Sequence, residues 1–353
     1  MEEVTASHHM IQEIHEGPAA FRETLEALSV VGVLSGEISS RYRCLVTCSS
    51  GSSHHTGLCL SYAASRLAGI EAYSAQASEY SEHVHNFLQR DHLLVAISQS
   101  GESVDTVRAA RLASSKSVDV LALTSVPDST LGSLARYVIE VRCGVERAVP
   151  ATKSFMAQLA AVYSLTLGLA STRLGVSEVG SIKEDLARLP RLLEQTIDRF
   201  EELMRRQAKR LAGVRHAFIL GYGPSYIAAL EASLKLKETC GIHAEAYSIG
   251  EFRHGPISLL DSDAACIFIT PPEPGDYLEV FEKVAAEASS SGSQTVMLSH
   301  EGGGLAADLS LPRIAHVLAT AVEVVPFQLL AYYTAVERGL DPDRPRRLRK
   351  VVQ

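Results

Sequence analysis

One arrangement is written twice along this chain: a short apolar run, a turn of small residues around glycine, then a helical pattern. In the first half CLVTC (Cys44–Cys48) leads through Ser49-Ser50-Gly51-Ser52-Ser53 into a helical stretch at Thr56–Leu67. In the second, AFILG (Ala217–Gly221) leads through Tyr222-Gly223 into one at Ser225–Thr239. More β-prone runs follow in each half, at Leu93–Ile97, Val118–Thr124 and Val138–Val141, then at Ala264–Thr270 and Gln294–Leu298. Helical patterns separate them, at Ser103–Ser114, Ser154–Leu174, Tyr277–Ser289 and Ile314–Gly339. Uniformly apolar strands alternating with helices predict mainly parallel sheets covered on both faces. The reading is an α/β chain of two tandem domains, flavodoxin-like three-layer sandwiches related by internal duplication.

With 353 residues there is room for two ordinary domains. We divide the chain into an N-terminal helical segment (1–28), a first α/β domain (29–180), a charged helical linker (181–211), a second domain (212–339) and a tail (340–353). Met10, Ile11, Ile14, Phe21 and Leu25 lie at helical spacing and predict a helix pair hinged at Gly17-Pro18.

A net charge of −8 gives no broad basic footprint for nucleic acid, although a local phosphate site needs only amides and hydroxyls. No apolar run reaches a membrane-spanning length, and the polar, acidic N-terminus is unlike a secretory signal. Six scattered cysteines without a C-x-x-C pair read as small buried hydrophobes. These features predict a cytoplasmic protein that binds neither membrane nor nucleic acid.

Two turns are candidates for an anion. Ser98-Gln99-Ser100-Gly101-Glu102-Ser103 follows the apolar run LLVAI and opens a helix, so backbone amides and three hydroxyls gather where glycine permits close approach. Ser50, Gly51, Ser52 and Ser53 repeat the pattern. Ordinary helix capping explains either turn alone; the pairing favours one shared phosphate. His54 and His55 point about 100° apart on a helix, which excludes joint chelation and leaves surface or capping roles. In the second half Glu231, Lys235 and Glu238 fall on one helical face, either as a solvated ion-pair row or as a functional set. The loop-like HAEAYSIGEFRHGP that follows concentrates acids and histidines. Gly221-x-Gly223-x-x-Tyr226 imitates a dinucleotide fingerprint, but the third position is tyrosine, so no nicotinamide is expected.

SQSGESVDT (Ser98–Thr106), ATKSFMAQL (Ala151–Leu159), LEASLKLKETCGIHAEAYSIGEFRHGPISLLD (Leu230–Asp261) and GLDPDRPRRLRKVVQ (Gly339–Gln353) resemble the isomerase half of glucosamine-6-phosphate synthase. They are equally similar to the stand-alone sugar-phosphate isomerases and deaminases of the two-SIS-domain family. The resemblance implies two SIS domains and an amino- or ketohexose 6-phosphate as substrate. It makes Ser50, Gly51, Ser52, Ser53, Ser98, Gln99, Ser100, Gly101 and Ser103 the phosphate site, with Val149 and Lys235 as further substrate contacts. Glu238 takes the place of the proton-shuttling carboxylate, His254 that of the ring-opening histidine, and Lys350 that of the near-terminal lysine that forms a Schiff base. It also implies a homodimer with composite sites, His254 coming from the neighbouring subunit, and chemistry that needs neither metal nor organic cofactor. The glutamine-hydrolysing domain of the synthase is not in the sequence, which favours a deaminase or isomerase, with a fructosamine-phosphate deglycase or a non-catalytic sugar-phosphate sensor as alternatives. Three local departures stand out: Ser50 where the family has cysteine, Ala151 where it has serine, and Arg347-Leu348-Arg349-Lys350 where it has Asn-Leu-Ala-Lys.

Overall fold

The computed structural model describes residues 8–28, 31–171 and 173–350. Its backbone resolves into two compact units that interleave in sequence. The N-terminal unit comprises Gly17–Glu146 and Lys153–Pro190; the C-terminal unit comprises 8–16, Arg147–Thr152 and Arg191–Lys350.

The N-terminal unit contains β1 (Cys44–Ser49), β2 (Glu71–Gln76), β3 (His92–Ile97), β4 (Asp119–Thr124) and β5 (Tyr137–Glu140), all parallel, in the order β2-β1-β3-β4-β5. The C-terminal unit repeats it with β6 (His216–Gly221), β7 (His243–Ser248), β8 (Ala264–Ile269), β9 (Gln294–His300) and β10 (Leu309–Leu311), in the order β10-β9-β8-β6-β7. β1, β3, β6 and β8 are central strands, and all but His216 of their residues are buried, which is why they read as unbroken apolar runs.

The duplication is visible residue by residue. The first three strands of each sheet start 172 residues apart: Cys44 and His216, Glu71 and His243, His92 and Ala264. The same shift carries helix Ser52–Ala63 onto Pro224–Lys235 and its terminal π-helical turn, Ala64–Ala68, onto Leu236–Cys240. Both π turns end on a left-handed glycine, Gly69 and Gly241. A shared defect in the helical ladder, kept at one place in both copies, is a structural feature in its own right.

Three expectations need correction. The predicted helix pair is one helix, His9–Ala27, with Pro18 inside it. Met10, Ile14 and Phe21 are all buried, so one apolar face runs in phase past the proline and outweighs its missing hydrogen bond. Strands β2, β7 and β10 were not expected. Each is a sheet edge, and β2 alternates exposed and half-buried residues without a β-branched run, so its composition hides it. HAEAYSIGEFRHGP is accordingly no loop at its start: His243–Ser248 is β7 and Ile249–Phe252 a helical turn.

All six cysteines are buried, and burial pushes the Cys48 and Cys240 thiols up to about 12. The helix Ala319–Glu337 is long and apolar enough to cross a membrane by composition, but it is a core helix, buried at every position from Ala319 to Ala335.

Candidate active site

Strand order in the first sheet reverses between β1 and β3, and in open parallel sheets ligands bind beyond the carboxyl ends of the strands at that point. The two hydroxyl-rich turns follow these two neighbours. Gly51 caps helix Ser52–Ala63 at φ 57°, a left-handed conformation suited to glycine. It brings no side-chain cap to the first turn, and a helix N-terminus is where an anion can be received. Ser53 Oγ accepts from Gln158 Nε2 at 3.1 Å, and Gln158 Oε1 accepts from Thr56 Oγ1 at 3.0 Å, so a buried glutamine braces the turn from below.

The second turn is tighter. Ser98 Oγ accepts from Gly101 N at 3.1 Å and lies 3.1 Å from Ser103 Oγ, while Ser100 Oγ accepts from Glu102 N at 3.2 Å. Gly101 has φ 69°, and a Cβ there would come within 1.9 Å of Ser129 Oγ. Only glycine fits. An acid in such a turn would repel an anion, but the Glu102 carboxylate accepts from Thr130 N at 2.8 Å. That bond holds its carboxyl below the usual range and engages the charge in a neighbouring turn.

His54 and His55 are not the surface residues expected of them. His55 is buried, and His54 sits half-buried with Nδ1 3.4 Å from Ser74 Oγ. Burial, and then the neighbouring His55, hold the His54 imidazole at about 4, so it is neutral at pH 7.

The second sheet repeats this backbone without its chemistry. Gly223 reproduces the φ and ψ of Gly51, and Ser225 stands where Ser53 does. The turn after β8 is Thr270-Pro271-Pro272-Glu273-Pro274, in which three of five residues carry no N–H and one is acidic. Ser225 donates to Glu323 Oε1 at 2.6 Å, and His300 Nε2 lies 3.0 Å from the same oxygen, all three side chains being buried. A carboxylate here, where the first copy has Gln158, makes the second crevice unsuited to a phosphate.

The candidate reactive groups predicted from the sequence lie in the C-terminal unit. Lys235 is 1% exposed and lies between two carboxylates: Glu238 Oε2 at 2.6 Å and Glu231 Oε1 at 3.4 Å. Glu231 is fully buried, so this is not the solvated ion-pair row that spacing allowed. Glu238 lies on the π turn Leu236–Cys240, with its side chain 20% exposed. The lysine orients one carboxylate oxygen, and no hydrogen bond among the described residues occupies the other. Such a carboxylate can take up and return a proton. His254 is exposed on the turn after Ile249–Phe252, its amide bonded to Glu251 O at 3.0 Å, and Gly255 (φ 150°) then leads into Pro256. Lys350 donates to Ala148 O at 2.7 Å, next to Val149.

Ser50–Ser53 and Ser98–Ser103 thus belong to the N-terminal unit, and Val149, Lys235, Glu238, His254 and Lys350 to the C-terminal unit. A separate cavity of about 500 Å³ lies toward the opposite, amino-terminal end of the first sheet, lined among others by Cys44, Val46, Tyr73, Phe87 and His92. None of the turn residues lines it. Sequence reasoning missed Gln158, whose bracing role has no local signal, and Glu13, which is taken up below.

The comparisons with known proteins follow this division. The SIS domain model matches residues 40–168 and again 210–338. The glutamine–fructose-6-phosphate aminotransferase [isomerizing] of Symbiobacterium thermophilum is 37% identical over 98% of the chain, which spans 59% of that relative's length. The C-terminal domain of glucosamine-fructose-6-phosphate aminotransferase from Francisella tularensis superposes with a TM-score of 0.89 at 27% identity, covering 98% of this chain and all of that one. A glucosamine-6-phosphate deaminase from Thermotoga maritima shares the fold, with a TM-score of 0.79 at 23% identity over 98% of this chain and 99% of that one. The strand order, the paired turns and the two matched segments together make this chain a member of the SIS-domain family, with two copies of the domain.

Proposed function

We propose that this chain is a sugar-phosphate isomerase of the aldose–ketose type that deaminates a hexosamine 6-phosphate to a ketose 6-phosphate. The turns at Ser50–Ser53 and Ser98–Ser103 hold the phosphate, and Val149 and Lys235 support the sugar. His254 moves the proton that opens the ring, a role open to an imidazole, which can both accept and donate a proton. Glu238 takes the proton from C2 and delivers it to C1, passing through an enolamine. The resulting C2 imine is hydrolysed by one water to the ketone and ammonia. Lys350 stabilises developing charge on oxygen or adds to the open ketose. His254 comes from a second copy in a homodimer. No step calls for a metal.

The observation that carries this reading is the Lys235–Glu238 pair, a carboxylate fixed at 2.6 Å by a buried ammonium and still 20% exposed. The names of the 37%-identical relative and of the superposed C-terminal domain support the substrate class. Incubation with glucosamine 6-phosphate, followed by assays for ammonia and fructose 6-phosphate, tests it. Equal amounts of both products are expected. Fructose 6-phosphate from glucose 6-phosphate alone, or amino acid released from a fructosamine 6-phosphate, would replace deamination by simple isomerisation or deglycation. Tight binding of all three sugars without turnover would make the protein a sensor.

A further inference from the structure

Glu13 lies on the first helix, His9–Ala27, with 3% of its surface exposed. Its two carboxylate oxygens accept separate backbone amides: Oε1 from Arg147 N at 2.5 Å and Oε2 from Ala148 N at 3.2 Å. Burying a carboxylate is costly unless hydrogen bonds replace its water, and two amides in register do that here. What they fix is the path of residues 147–149. The Ala148 carbonyl then receives Lys350 Nζ at 2.7 Å. On the same peptide unit, Val149 N donates to Asp343 O at 2.9 Å. A peptide that donates at one end is a better acceptor at the other. Asp343 is itself anchored, its carboxylate capping the helix through His9 N at 2.8 Å and Met10 N at 2.7 Å.

We propose that Glu13 is a positioning residue for Lys350, setting the Ala148 carbonyl that holds the amine in place. The inference rests on the reading of Lys350 as the reactive amine. All of its parts (8–16, Arg147–Thr152 and the tail to Lys350) lie within the C-terminal unit. The tail is held at two points, Asp343 and Lys350, and the first turns of one helix organise both.

Limited amine dimethylation read by mass spectrometry tests this, with the exposed Lys183 as internal reference. In Glu13→Ala, labelling of Lys350 relative to Lys183 is expected to rise about tenfold, the equivalent of one lost charge-assisted hydrogen bond. Glu13→Gln keeps one acceptor and should fall between. In the same variants kcat is expected to drop with KM for the sugar phosphate little changed. An unchanged Lys350 labelling rate in folded Glu13→Ala would overturn the proposal; if that variant does not fold, an unchanged rate in Glu13→Gln would do so. Lys350→Ala separates the two ideas: if it retains full turnover, Lys350 is not the reactive amine, while the labelling ratio still decides whether Glu13 holds it.

Discussion

Glu238→Gln yields a folded protein that turns over hexosamine 6-phosphate about 10²–10⁴-fold more slowly, the range for loss of a positioned general base. The substitution is isosteric, and the amide oxygen can still accept from Lys235, so the 2.6 Å contact survives in neutral form. With 20% of the side chain exposed, replacing the charge costs little stability. What is lost is the ability to carry a proton between adjacent carbons. The expected signature is therefore specific: kcat falls, sugar-phosphate binding persists, and deuterium placed at C2 of the substrate is no longer carried to C1 of the product. Turnover within a few-fold of the parent would remove Glu238 from the chemistry.

The second large effect is on stability. Lys235→Met keeps the length of the side chain and removes an ammonium that is 1% exposed from between Glu231 and Glu238. Stripping one partner from a buried ion pair typically costs about 3–5 kcal/mol, because the remaining charge is desolvated without compensation. The shift should appear as a lower urea midpoint with little change in slope. Lys235→Met combined with Glu231→Gln should recover a large part of the loss, since the fully buried carboxylate is then gone as well. A loss below about 1 kcal/mol for the single variant, the scale of an exposed pair, would mean that the trio is effectively solvated.

Much of this architecture is legible in the sequence because its central strands are unbroken apolar runs. β1, β3, β6 and β8 are buried almost throughout, as is β4, and such short, continuous apolar runs mark central strands. Edge strands carry no such mark. Glu71, Ser74 and Gln76 of β2 face partly outward, and only pairing with β1 makes them a strand. The π turns are equally silent, because one wider turn leaves the spacing of Glu231, Lys235 and Glu238 unchanged on paper.

The candidate site divides along the same line. Hydroxyls crowded around Gly51 and Gly101 mark two candidate anion-binding turns by residue type, and it is their pairing, since capping explains either alone, that singles them out. Glu13 announces nothing. On the sequence it is one acid among several on an amphipathic helix, and its partners Arg147 and Ala148 lie 134 and 135 residues away. A contact of that kind is created by the fold.

The account turns on one sugar phosphate being held by its phosphoryl group in the two serine turns while Glu238 works at its first two carbons. A crystal structure with fructose 6-phosphate bound tests that most directly. The phosphate should rest on the amides and hydroxyls of Ser50–Ser53 and Ser98–Ser103, with C1 and C2 within hydrogen-bonding reach of the Glu238 carboxylate. A phosphate seated elsewhere, or a sugar whose C1 and C2 lie far from Glu238 in every subunit arrangement, would contradict it.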